Sequence, residues 1–222
     1  MSSAKGKLVR FFGGVLLRRA FVASAEDVGG FRRLVLRSEG ATPAAGAKLQ
    51  ILLPSDDVRT YTPVAAKEGL VVLGWKHAGG PGARWLSDVR VGEEVRFVGP
   101  QRSLELPAGP VVVVGDETSV AVAASFALER PGQVSAVLQA TAVDDARAAA
   151  ERLGLGPLVV LPRGDTTQTA EAAASAAQST RACIALTGGS ELVLAVRAAL
   201  RARGITNLQT KTYWVPGKRG LD

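Results

Sequence analysis

The stretch Val111-Val112-Val113-Val114-Gly115-Asp116-Glu117-Thr118 decides how the second half of this chain folds. Four consecutive β-branched residues suit a strand covered on both faces, because a half-exposed strand would alternate apolar with polar. Gly115 ends the run, and residues 118–129 continue with helical composition. A buried strand that ends on glycine at a helix start is how the strands of an open parallel sheet meet their crossover helices. The same texture then repeats. Strand-like segments at 134–139, 158–161 and 182–186 alternate with helical segments at 144–153, 169–178 and 191–203, the last closed by Gly204. Residues 208–214 supply a final strand, so the pattern predicts an α/β open parallel sheet with helices on both faces.

Upstream of Pro107 and Pro110 the texture is different. Short β-like segments occupy 31–37, 48–53, 59–64, 70–76 and 94–98, separated by turn-forming clusters at 40–46 and 54–57. Short strands at this spacing read as an antiparallel sheet barrel or sandwich. The expected architecture is an N-terminal antiparallel β-barrel over residues 1–107 and a C-terminal α/β half over residues 108–222.

Composition narrows the chemistry. The chain has 222 residues, of which 47% are hydrophobic, enough for two cored domains. It contains one cysteine, Cys183, and one histidine, His77, so no disulfide framework and no protein-only zinc or iron–sulfur site is expected. Any redox chemistry must arrive on an organic cofactor. No stretch approaches the roughly 20 apolar residues that span a bilayer. Lys5, Lys7 and Arg10 precede the apolar stretch 11–17, but Arg18-Arg19 and then Glu26-Asp27 follow without a cleavage pattern, so a mature, cytoplasmic chain is expected. The net charge of +7 is concentrated early, with eight basic residues through Arg37 against Glu26 and Asp27. Such a face attracts phosphates or another anionic partner, or is simply a solvated edge. No nucleic-acid partner is expected, and a monomer is the default.

Three segments carry candidate chemistry. Arg59-Thr60-Tyr61-Thr62 follows a strand, and its residue types suit a flavin: an arginine for pyrophosphate, a flat phenol with a hydroxyl, and a threonine hydroxyl for a ring heteroatom. Alternation places Arg59 and Tyr61 on one face and Thr62 on the other. Then comes His77-Ala78-Gly79-Gly80-Pro81-Gly82-Ala83-Arg84-Trp85-Leu86, a glycine-rich turn into a short helix, whose backbone N–H groups can receive phosphate. The third is Gly115-Asp116-Glu117-Thr118, at the place where a nucleotide binds a doubly wound sheet, although the two acids also suit ordinary helix capping. Taken singly, each has a structural explanation: an amphipathic strand, a loop, a cap.

Together and in this order the three segments resemble the siderophore-interacting family of the ferredoxin-reductase-like superfamily. An Arg-x-Tyr-Thr strand, a His-Gly…Gly-Pro-Ala-Ser-x-Trp turn and a Gly-Asp-Glu-Thr strand end recur there, and Tyr213-Trp214 with Gly217 resembles the family's terminal segment. The resemblance implies FAD on the barrel, its ring near residues 59–62 and its pyrophosphate near 80–83. It implies NADPH or NADH at residues 115–118, and electron transfer to iron in a ferric siderophore or other iron chelate. The candidate cofactor contacts are thus Arg59, Tyr61, Thr62, His77, Gly80, Pro81, Gly82, Ala83, Trp85, Gly115, Asp116, Glu117, Thr118 and Trp214. No general acid or base is assigned. His77 reads as a structural or cofactor contact, and Cys183, inside an apolar run, as an inert buried thiol. Departures occur at Val64, where the family often has arginine, at Ala83 for serine, and at Thr212 and Val215; one residue of the turn is missing.

Two other readings remain open. One is a flavin reductase whose acceptor is not a siderophore; the other is a non-catalytic binding protein that keeps the fold. Arg130, Arg163 and Arg181 could each meet a nucleotide 2′-phosphate, and the sequence does not select among them.

Overall fold

The computed structural model describes residues 17–218 apart from Ala41 and Ala78. Lys5, Lys7, Arg10, most of the apolar stretch 11–17, and Ala78 of the glycine-rich turn lie outside the described residues. Contacts divide the chain into two compact units after Ser103. The composition shift at 107 falls slightly later because Leu104 is already buried and Arg130 donates to the carbonyls of Leu106 and Pro107, which ties this segment to the second unit.

The first unit contains β1 (Arg18–Val28), β2 (Phe31–Arg37), β3 (Lys48–Leu52), β4 (Val58–Tyr61), β5 (Pro63–Ala66), β6 (Gly69–Trp75), the helix α1 (Pro81–Asp88) and β7 (Glu94–Gln101). Among the described residues these strands form one antiparallel sheet in the order β4-β3-β7-β1-β2-β6-β5. Strands β4 and β5 are its two opposite edges, yet Thr62 alone separates them in sequence. Seven strands laid flat would hold those edges roughly 29 Å apart, whereas two Cα–Cα steps reach about 7 Å. The sheet must therefore curl until its edges meet, which makes it a barrel with Thr62 at the seam. Its interior is filled by Leu34, Leu36, Leu49, Ile51, Leu53, Val72 and Phe97, and Trp85, Leu86 and Val89 from α1 and its end join the same core.

Two differences from the sequence reading have clear causes. The segment 59–64 is two strands, because Pro63 has no N–H to continue a ladder and opens an edge strand instead. β1 escaped notice because its inward residues are small: Ala20 and Val22 are buried while Phe21 points outward, 54% exposed.

The second unit contains β8 (Val111–Gly115), a 3₁₀ turn (Glu117–Ser119), α2 (Val120–Glu129), β9 (Val134–Ala140), α3 (Val143–Arg152), β10 (Leu158–Pro162), α4 (Thr166–Thr180), β11 (Cys183–Gly189), α5 (Ser190–Ala202) and β12 (Leu208–Trp214). All five strands are parallel, in the order β10-β9-β8-β11-β12. The chain thus winds outward from β8 in one direction, then crosses over to β11 and continues in the other, leaving a switch point between β8 and β11. Val112 and Val114 pack with alanines of α4 and with Val193, Val196 and Leu200 of α5. α2 and α3 pack together elsewhere on the sheet, on β9 and β10. Every residue of β8 is buried, as its valine run requires. No helix among the described residues is long and apolar enough to cross a membrane.

Candidate functional site

In the barrel unit the second strand edge and the following helix build one cluster. Arg59 and Tyr61, two residues apart on β4, both reach the N-terminus of α1. A Cβ placed on Gly82 would lie 3.2 Å from the Tyr61 hydroxyl and 3.3 Å from Arg59 Cγ, so any larger residue would push these side chains back by a few tenths of an ångström. Gly80 is the N-cap with extended backbone and no side-chain cap, Pro81 opens the helix, and the first turn contains no acidic residue. Pro81 has no N–H, and the N–H groups of the buried Gly82 and Ala83 and the positive end of the helix dipole have no carboxylate partner from the helix itself. Arg59 donates to the Val58 carbonyl at 2.8 Å and lies 3.7 Å from Asp57, which anchors the guanidinium, while its Cγ and Cδ lie against Gly82.

Tyr61 stacks obliquely on Trp85, with ring centroids 5.8 Å apart. Burial pushes its hydroxyl well above the usual phenol range, against a smaller opposing pull from Arg59, so it remains a neutral donor. Trp85 is buried in the barrel core and supports Tyr61 from behind. Thr62 is buried at the seam. Ala83 is buried in the helix, while His77 is exposed, its ring 5.3 Å from that of Trp75 and its Cε1 3.2 Å from where a Gly80 Cβ would stand. The sequence segments 59–62 and 77–85 are thus brought together around the start of α1, with Arg59, Tyr61, Gly80, Pro81 and Gly82 at its centre.

In the sheet unit the strand end at residues 115–118 is organised by Asp116. Its carboxylate is buried and accepts four donors: the N–H and hydroxyl of Thr118, the Gly189 N–H at 2.8 Å, and the Trp214 Nε1–H at 2.9 Å. One side chain therefore ties the carboxyl ends of β8, β11 and β12 into a single rim. Gly188 has φ of +105°, and a Cβ there would meet the Asp116 carboxylate at 2.6 Å. A Cβ on Gly189 would strike the Trp214 indole at the same distance, so Trp214 packs directly on bare backbone. Glu117 is also buried; it accepts from the Thr141 N–H at 2.7 Å and forms an ion pair with Arg163. Both acids thus hold the rim in shape through the protein's own donors.

The sequence reading missed Gly188 and Gly189 as partners of Asp116. The signal was present, since Thr187-Gly188-Gly189-Ser190 places glycine between a buried strand and a helix as Gly115 does. Glu117 with Arg163 was not readable, because their meeting depends on which strands are neighbours.

A curled antiparallel barrel followed by a five-stranded parallel sheet with a central switch point is a distinctive pair. The fold is that of the ferredoxin reductases and siderophore-interacting proteins. A siderophore utilization protein from T. fusca matches at 20% identity with a TM-score of 0.67, over 93% of this chain and 95% of that one. The siderophore-interacting protein SipS from Aeromonas hydrophila matches at 22% identity and a TM-score of 0.68, over 91% and 93%. A ferredoxin-NADP+ reductase from Plasmodium falciparum matches at 9% identity and a TM-score of 0.71, over 89% and 96%. No protein-family model and no curated protein sequence matches the chain. The ferredoxin-reductase-like fold is therefore carried by three-dimensional likeness, with sequence likeness confined to short segments.

Proposed function

We propose that the chain is an FAD-dependent NAD(P)H oxidoreductase that reduces ferric iron held in a siderophore. The observation that carries this reading is the placement of Arg59 and Tyr61 against the uncapped start of α1, with Gly82 at the point of closest approach. The residues present fit the pyrophosphate and ring of a flavin. The N–H groups of α1 and the Arg59 guanidinium are the donors a diphosphate needs. The helix's first turn offers no carboxylate to repel it. Tyr61, kept neutral by burial, supplies a flat face and a hydroxyl donor.

In the sheet unit, Asp116 fixes the backbone around Gly115 and Gly189 at the switch point, where a dinucleotide binds in open parallel sheets. Trp214 is held at the same rim by its bond to Asp116. Neither Asp116 nor Glu117 is placed as a proton donor, since protein donors already occupy their carboxylates. Their part is to orient. A bound flavin supplies the conversion of a two-electron hydride donor into one-electron steps, which ferric iron requires. Hard oxygen ligands favour the ferric state, so reduction of the chelated iron loosens it for release. The siderophore proteins among the structural neighbours support this acceptor class.

A visible spectrum of the purified protein, followed by anaerobic NADPH or NADH and then a ferric hydroxamate chelate, tests the proposal in order. Flavin bands that bleach with nucleotide and return with the chelate are expected. Colourless protein that gains no flavin absorbance when FAD is added sinks the reductase reading. Reoxidation by a quinone but by no ferric chelate moves the acceptor elsewhere.

A further inference from the structure

One end of the barrel carries a groove of about 770 Å³ that lies within the first unit and shares no residue with the cluster of Arg59, Tyr61 and Gly82. Its walls come from the start of β1, the end of β2 with the loop after it, and the β5–β6 turn. Alternation along β1 sends Ala20 and Val22 into the core and therefore turns Arg19 and Phe21 outward. Arg37 stands directly opposite Phe21 in the β1–β2 pair, and Lys67 sits in the turn where Ala66 faces Gly69. Arg18, at the head of β1, donates to the Glu39 carbonyl.

Four cations thus line the groove, and the barrel does little to neutralise them. Glu68 is committed to the buried Arg33 at 2.9 Å. Arg19 lies 3.7 Å from Glu94, whose other carboxylate oxygen accepts from Arg96 at 2.8 Å. No carboxylate among the described residues pairs with Arg37 or Lys67. Among these charges Phe21 is 54% exposed. A small soluble anion would be held by the cations alone and would gain nothing from a phenyl ring left in water. An aromatic ring flanked by cations is instead what an anionic lipid surface takes: the charged groups meet the phosphates while the ring enters the headgroup boundary. The sequence just upstream has the same makeup, with Lys5, Lys7 and Arg10 followed by Phe11, Phe12, Val15 and Leu16. Arg18 comes seven residues after Phe11, so roughly 25 Å of extended chain is the most that can separate that run from the groove.

We propose that this end of the barrel docks on a membrane surface rich in anionic phospholipid, with Arg19, Arg37 and Lys67 on the headgroup phosphates and Phe21 at the acyl boundary. Docking of this kind does not depend on the chain being a reductase. Co-sedimentation of the full chain with vesicles of phosphatidylcholine alone, and of phosphatidylcholine and phosphatidylglycerol in equal parts, tests it. The unmodified protein is expected to partition onto the mixed vesicles roughly tenfold better or more, and to come off as salt is raised. Arg37→Gln and Lys67→Gln should each weaken that binding roughly fivefold. Phe21→Ser should weaken it several-fold and leave its salt dependence unchanged. Arg201→Gln, in the last turn of α5 in the other unit, should change nothing. All four side chains are exposed, so the variants keep the fold, which an unchanged thermal unfolding profile checks. Equal partition onto both kinds of vesicle, no partition, or binding that the Arg37, Lys67 and Phe21 variants leave intact overturns the proposal. Release by free glycerol phosphate at constant ionic strength overturns it as well, because the groove then belongs to a soluble phosphate.

Discussion

At single residues the site depends on atoms that are absent as much as on those present. Gly188 allows the rim to close on Asp116. Gly188→Ala would combine a strained positive φ with a Cβ at 2.6 Å from the carboxylate. A loss of about 3 kcal/mol is expected in chemical denaturation, confined to the sheet unit. Tyr61 makes a different kind of prediction. Burial raises its pKa above the ordinary phenol value of about 10, so the folded chain holds a proton that the unfolded chain releases. Its contribution is fully present below about pH 10 and is lost as pH rises toward the folded value. In an alkaline titration followed by phenolate absorbance, Tyr61 should ionise only as the barrel unfolds, and Tyr61→Phe should remove that late step.

At the level of elements, two short pieces do most to build the barrel site. The β4–β5 step at Thr62 and Pro63 closes the sheet and brings the Arg59–Tyr61 face against α1. α1 plugs the core with Trp85 and Leu86 while turning its uncapped N-terminus toward Arg59. If that terminus receives a pyrophosphate, Arg59→Ala should raise the dissociation constant for FAD by at least tenfold, about 1.4 kcal/mol. Arg19→Ala, on an exposed side chain of β1 paired loosely with Glu94 at 3.7 Å, should change it little. Fluorescence titration of the apoprotein with FAD distinguishes the two, and equal effects would refute the placement. The element scale also shows where sequence reading failed. The split of 59–64 followed from Pro63 and was available in principle, whereas β1 is built on Ala20 and Val22, whose small side chains leave too weak an alternation to see.

At the scale of the whole molecule, each unit has its own buried core, one centred on the barrel and one on β8, β11 and the helices α4 and α5. Ligands should therefore act on separate parts of an unfolding profile. FAD at a hundredfold excess over its dissociation constant should stabilise the barrel unit by about 2.7 kcal/mol, and NADPH or NADH should do the same for the sheet unit. Calorimetric scans with each ligand alone check this; a single ligand shifting both units equally would contradict it.

The sequence by itself determined the local grammar of this protein. The valine run at 111–114 required a strand buried on both faces, strand and helix patterns alternated to Trp214, and the residue types at 59–62 and 77–85 marked a glycine-rich turn and an arginine–tyrosine pair as candidates for a cofactor contact. These are legible because they depend on periodicity and on what each side chain can do within a few residues of itself. Only the tertiary structure decided which distant groups meet. That Asp116 holds Gly189 and Trp214, that Glu117 is taken by Thr141 and Arg163, and that Gly82 is where Arg59 and Tyr61 meet α1 all follow from strand order and barrel closure. Strand order is set by the burial of whole faces and by the routes the connections take, and those are properties of the assembled chain rather than of any segment.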